Sequence, residues 1–132
     1  GERMATWKAV QQYLVQNFGA EGVTDRIMAA TLDMPAGRSQ QVLVTFQDHE
    51  ATGGWVRVAS KIGFPADLDL LEAAMTASDS LCGGIVVIGD YAYLRHSIPL
   101  ENLDSNELHH PINIVALGAD NIEKLQLGTD EF

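Results

Sequence analysis

Between Trp55 and Ile62 the side chains change character at every step. Trp55, Arg57, Ala59 and Lys61 stand at odd positions, while Val56, Val58, Ser60 and Ile62 stand at even ones. A β-strand sends successive side chains to opposite faces, so this period of two asks for a strand with one buried and one wetted face. The run before it repeats the pattern, with Val42, Val44 and Phe46 on one face and Leu43 and Thr45 on the other. One-sided burial of this kind belongs to antiparallel sheets. A third run, RIMAATLDM, stops at the turn signal Pro35-Ala36-Gly37. Further on, Ile85 to Ile88 and Tyr91 to Ile98 flank Gly89-Asp90, a two-residue turn of the II′ kind, which predicts an antiparallel hairpin.

Elsewhere the period lengthens to that of a helix. Thr6 is an N-cap, Trp7, Val10, Leu14 and Phe18 recur at helical spacing, and Gly19 supplies a left-handed terminus, so a helix is expected over 7–18. Pro65 and Asp67 open a second helix over 67–78, whose apolar positions are Leu68, Leu71 and Met75. Asp104 and Glu107 have capping-box spacing ahead of a stripe of Leu108, Ile112, Val115, Ala119, Ile122 and Leu125. Pro111 conflicts with one smooth helix there. Either a short turn at 105–109 precedes a helix beginning near Pro111, or the helix kinks at it. The order is then α-β-β-β-α-β-β-α: a single α+β domain over 1–132, with an antiparallel sheet of about five strands and with 1–5 and 128–132 expected to be flexible.

The charge balance narrows the partners. With 8 basic and 18 acidic residues the formal net charge is −10. The cations do not cluster along the chain, so neither nucleic acid nor an anionic membrane is an expected partner. Residues 101–132 hold Glu101, Asp104, Glu107, Asp120, Glu123, Asp130 and Glu131 against Lys124 alone, which reads as a solvated acidic face able to steer basic partners. The longest apolar run, around Ile85 to Ile88, is far short of the roughly 20 residues a membrane helix needs. No basic and apolar leader opens the chain. Cys82 is the single cysteine, so no disulfide within the chain and no cysteine-based zinc site can form, and a reducing cytoplasm is the expected location.

Catalytic patterns are missing. His109 and His110 are neighbours that point about 100° apart on a helix, which does not suit a shared metal. Cys82 precedes two glycines at a turn with every histidine remote in sequence, and no nucleophile elbow exists. Gly53-Gly54 and Gly83-Gly84 each precede strands, not the helix that phosphate loops require. The expectation is a chain without metal, cofactor or catalytic residues. Trp55, at a strand start, and Tyr91 and Tyr93, on the return strand of the hairpin, are the candidate partner-binding residues. The alternative is a small-ligand-binding domain or unrecognised hydrolase with a pocket lined by Tyr91, Tyr93, Arg95 and His96.

Element order, length and acidity resemble type III secretion chaperones, and still more the YbjN-type proteins that share their fold. The closest likeness lies in the last quarter, at Pro99, Leu100, Asp104, Glu107, Leu108, Ala119 and Asp120. Pro111 departs from the family's smooth closing helix. The resemblance implies a small cytoplasmic, non-enzymatic protein, often a homodimer, that binds another protein, here expected to offer a basic or partly unfolded segment.

Overall fold

Helix α1 (Trp7–Phe18) has the ends its sequence predicts: Thr6 Oγ1 accepts from the Ala9 N–H, and Gly19 closes the last turn at φ 61°. The computed structural model describes residues 1–132. After α1 come β1 (Glu21–Thr24), β2 (Ile27–Asp33), β3 (Ser39–His49), β4 (Gly53–Gly63), α2 (Leu70–Ala77), β5 (Gly84–Ile88), β6 (Tyr91–Pro99) and α3 (Ser105–Leu127). The six strands form one antiparallel sheet in the order β1-β2-β3-β4-β6-β5. The α+β class is as expected, with one strand more. The added strand, β1, is exposed at every position and carries no apolar alternation; its backbone pairing with β2 is what makes it a strand.

The period of two holds through most of the central strands, with a register irregularity between Lys61 and Gly63 at the end of β4. Val42, Val44, Val56, Val58, Ile62 and Leu94 are each at most 2% exposed, and α3 lies against β3, β4 and β6 on that side. Burying each such side chain stabilises the fold by roughly 1.5–3 kcal/mol. Helix α1 covers β2 and α2 covers β5. Trp7 stacks on Phe46 at 5.7 Å, on the same side as Val42 and Val44, and its indole N–H donates to the Asp25 carbonyl at 2.7 Å. All three helices thus occupy one side of the sheet. The opposite side has no second layer.

Two expectations, both about α2, need correction. Helix α2 starts at Leu70, not at 67: Pro65–Asp67 is a separate 3-10 turn, Leu68 is extended, and Asp69 caps the helix by accepting from the Glu72 N–H. It buries Ala73 and Ala77, leaving Leu71 and Met75 in solvent. Of the two readings of Pro111, the one that keeps it inside the helix holds: α3 runs through it, because both halves of the Asp104–Glu107 capping box form and the helix is pressed into the core by Leu108, Ile112 and Val115. The missing Pro111 N–H leaves the Glu107 carbonyl without its helical donor, a loss that this packing outweighs. Gly118 brings α3 close to the sheet, since a Cβ there would stand 2.6 Å from Leu94 Cδ2. Both chain ends are hydrogen-bonded to the rest of the fold. Met4 is 1% exposed and its N–H donates to the Leu103 carbonyl, while the Gln41 N–H donates to the Phe132 carbonyl.

Candidate functional site

The uncovered side of the sheet gathers the odd-numbered residues of the central strands. Leu43 pairs with Ala59, and Ala59 with Arg95; Thr45 pairs with Arg57, and Arg57 with Ser97. Trp55 lies between Gln47 and Pro99, and Lys61 lies opposite Tyr93. From Trp55 to Lys61 the face extends roughly 20 Å along β4, at about 3.3 Å per residue.

Each end of this face has a hollow. At one end Trp55 donates its indole N–H to Thr52 Oγ1 at 2.8 Å, and His49 Nδ1 shares that hydroxyl at 2.8 Å. These three side chains, with Gln47, Arg57 and Ser97, line a cavity of about 300 Å³. At the other end Lys61 Nζ sits 4.0 Å over the Tyr91 ring, which stacks on Phe64 at 4.7 Å. A cavity of about 340 Å³ opens there, where Lys61 faces Gln41 and Phe132. Between the ends, burial and then the neighbouring Tyr91 hydroxyl raise the Tyr93 pKa above its ordinary value. Burial and then the Arg57 charge lower that of Arg95.

All three candidate residues, Trp55, Tyr91 and Tyr93, therefore share one face. The cations, scattered in sequence, do cluster in the fold, since Arg57, Lys61 and Arg95 stand together on it. His96 does not join them. It pairs with Val58 on the helix-covered side, so Tyr91, Tyr93, Arg95 and His96 line no common pocket.

The other reactive groups are dispersed. Burial pushes the Cys82 thiol up, away from the thiolate a nucleophile needs. His109 Nδ1 lies 3.1 Å from the Tyr13 hydroxyl, and its ring packs on Phe18 at 5.3 Å. Burial, then the Glu2 charge, raise the Tyr13 pKa.

The sequence reading missed one charged centre. Asp120 and Glu123, expected on a solvated face, are 5% and 0% exposed. Arg38 Nε donates to Asp120 Oδ1 at 2.9 Å, and Arg38 Nη2 lies 3.9 Å from Glu123 Oε1 and 3.8 Å from Asp130 Oδ1. Glu123 Oε2 accepts from Thr129 Oγ1 and from the Glu131 and Phe132 N–H groups, which fastens the tail to α3. The three carboxylates could in principle take a metal ion, but the guanidinium already reaches all of them. No helix is long and apolar enough to cross a membrane. A scan against protein-family models finds no match for this chain, and a search of curated proteins finds none either.

Proposed function

We propose that this chain is a non-enzymatic protein-binding module, chaperone-like or regulatory, acting in the cytoplasm as a homodimer. The observation that carries the reading is the one-sided covering of the sheet: three helices bury one face, and Trp55, Tyr91 and Tyr93 stand on the other, where no helix packs and Phe64 and the tail residue Phe132 meet Tyr91. Half-exposed aromatic side chains on a rigid strand are suitable anchors for a partner, because little conformational freedom is lost when they are covered. The order of elements supports kinship with the secretion chaperones and YbjN-type proteins, apart from the additional β1. Extended segments are what an open sheet accommodates, by lying on it or by adding to its edge.

For self-association the supporting feature is the edge strand β5. It carries neither charge nor proline, its second edge is free, Val87 and Ile88 are about half exposed, and α2, which packs on it, exposes Leu71 and Met75. An unguarded apolar edge of this sort invites pairing with a second copy. Sedimentation equilibrium of the wild type should give twice the chain mass and of Val87→Lys the single mass; a wild-type monomer at micromolar concentration contradicts the dimer.

The binding role is tested with Trp55→Ala. Proteins captured by the tagged wild type are purified and titrated against both forms. Binding should weaken while the melting temperature stays nearly constant. Parallel loss of folding and binding would return Trp55 to a purely structural part.

A further inference from the structure

We infer that the uncovered sheet face binds an extended protein segment carrying both carboxylates and aromatic side chains, a partner chemistry that rests on the protein-binding reading above. Acids outnumber bases 18 to 8 in this chain, yet three of those bases, Arg57, Lys61 and Arg95, rise from β4 and β6 on this one face. The positions of β3, β4, β5 and β6 that share the face hold no carboxylate; Glu21 and Asp33 lie out on β1 and β2, and Asp130 and Glu131 of the tail border the Lys61 end. The centre of the face, around Arg57 and Arg95, is thus opposite in charge to the molecule.

Its arginines have no counter-ion. The ion pairs of the chain's arginines belong to Arg26 and Arg38, and neither Arg57 nor Arg95 is in one. They occupy diagonal positions, Arg57 opposite Ser97 and Arg95 opposite Ala59, close enough for the Arg57 charge, after burial, to disfavour that of Arg95. A carboxylate laid between them would relieve that repulsion and accept two forked donors at once.

The aromatic half of the chemistry is already displayed by the protein itself. Residues Thr129 to Phe132 lie along the Lys61 end of the face. The Asp130 carboxylate accepts from the Ser39 N–H at 3.2 Å, the Phe132 carbonyl accepts from the Gln41 N–H at 2.8 Å, and the Phe132 ring meets Tyr91 edge-on at 5.9 Å. Asp130, Glu131 and Lys61 border the same cavity. An acidic-aromatic segment therefore fits the rim of this surface, and the hollow at Trp55 with the arginine pair beside it is left open. A partner segment of about six residues reaches from Trp55 to Lys61. A long polyanion such as nucleic acid fits less well, because the molecule beyond this face is acidic and repels it.

The test uses fluorescence anisotropy with three labelled probes: a peptide of two Asp-Glu-Phe repeats, the same peptide with lysines in place of its acids, and an oligothymidylate of matched charge. The acidic peptide should bind saturably, and salt should weaken it. The lysine peptide and the oligothymidylate should bind roughly tenfold or more weakly. Arg57→Gln with Arg95→Gln should cost the acidic peptide roughly tenfold or more, at an unchanged melting temperature, while Arg57→Lys with Arg95→Lys, which keeps the charge but loses the forked donors, should cost less than the glutamine pair. Failure of the acidic peptide to saturate, equal binding of the lysine peptide, tighter binding of the oligothymidylate, or indifference to the glutamine pair each overturns the proposal. Peptides that bind irrespective of charge, yet are lost in Trp55→Ala, overturn the acidic-partner assignment and leave the protein-binding reading standing.

Discussion

Removing the Arg38 guanidinium should be among the most damaging single changes in this fold. Its side chain is 14% exposed, and it faces Asp120 at 7%, Glu123 at 0% and Asp130 at 35% side-chain exposure. Arg38→Ala deletes the one cation among three carboxylates, two of them buried. Breaking a buried pair from one side costs about 3–5 kcal/mol, because the remaining charge has neither water nor partner. In a domain of this size each kcal/mol moves the melting temperature by roughly 3–4 °C, so a fall of about 10–20 °C is expected. Urea unfolding followed by circular dichroism at pH 7 measures the loss directly. A decrease under about 1 kcal/mol would refute the reasoning. The complementary variant, Arg38→Met with Asp120→Asn and Glu123→Gln, removes cation and buried anions together and should recover a good part of the stability. No recovery would mean that packing of the Arg38 stem, not charge, holds this corner.

Other outcomes follow from the same structure. Asp104 accepts from the Asn106 N–H while Glu107 accepts from the Asp104 N–H, so Asp104→Ala should cost about 1 kcal/mol by urea denaturation. Asp104→Asn should cost less. Cys82, Tyr13 and Tyr93 all have raised pKa values, chiefly through burial. Their contribution is therefore fully present below their unfolded values and is lost as pH rises through the folded ones, since the unfolded chain gives up these protons first. The urea midpoint should decline in alkaline solution, starting near the ordinary thiol value of about 8.5 and steepening past the phenol value of about 10. A flat profile over that range would contradict these burial effects.

The strands were legible where a strict alternation existed. Val56, Val58 and Ile62 read directly as inward-facing, and Gly89, the one turn residue of its hairpin with positive φ, matches the II′ signal. The strand β1 was not legible, because a solvated edge strand leaves no apolar pattern and is defined by its partner's backbone. The helices misled wherever size was taken for burial. In α2 the narrow space under the helix suits Ala73 and Ala77, so Leu71 and Met75 remain outside. In α3 the angular arithmetic contained the answer. At about 100° per residue, Glu123 lies three turns and roughly 20° from Ile112, on the buried side, whereas Leu125 lies roughly 220° away. Leu125 is accordingly 66% exposed. The likeness of Glu123 to its solvated neighbours concealed this, since burial of a carboxylate depends on Arg38, more than eighty positions earlier. The basic cluster was hidden for a related reason. Arg57 and Lys61 alternate visibly, but Arg95 joins them only through the register of β4 with β6, and α2 and β5 intervene in the chain.

The two tryptophans provide the most direct test of the uncovered face as the docking surface. The Trp7 indole is hydrogen-bonded on the helix-covered side and the Trp55 indole on the open side, so each reports on one face of the sheet. In ¹⁵N-resolved NMR spectra, titration with the peptide of two Asp-Glu-Phe repeats should shift the Trp55 indole signal and the amides of Arg57, Lys61 and Arg95, and leave the Trp7 indole in place. Shifts centred on Trp7 and α1, or on α2 and β5 with Trp55 unmoved, would contradict it.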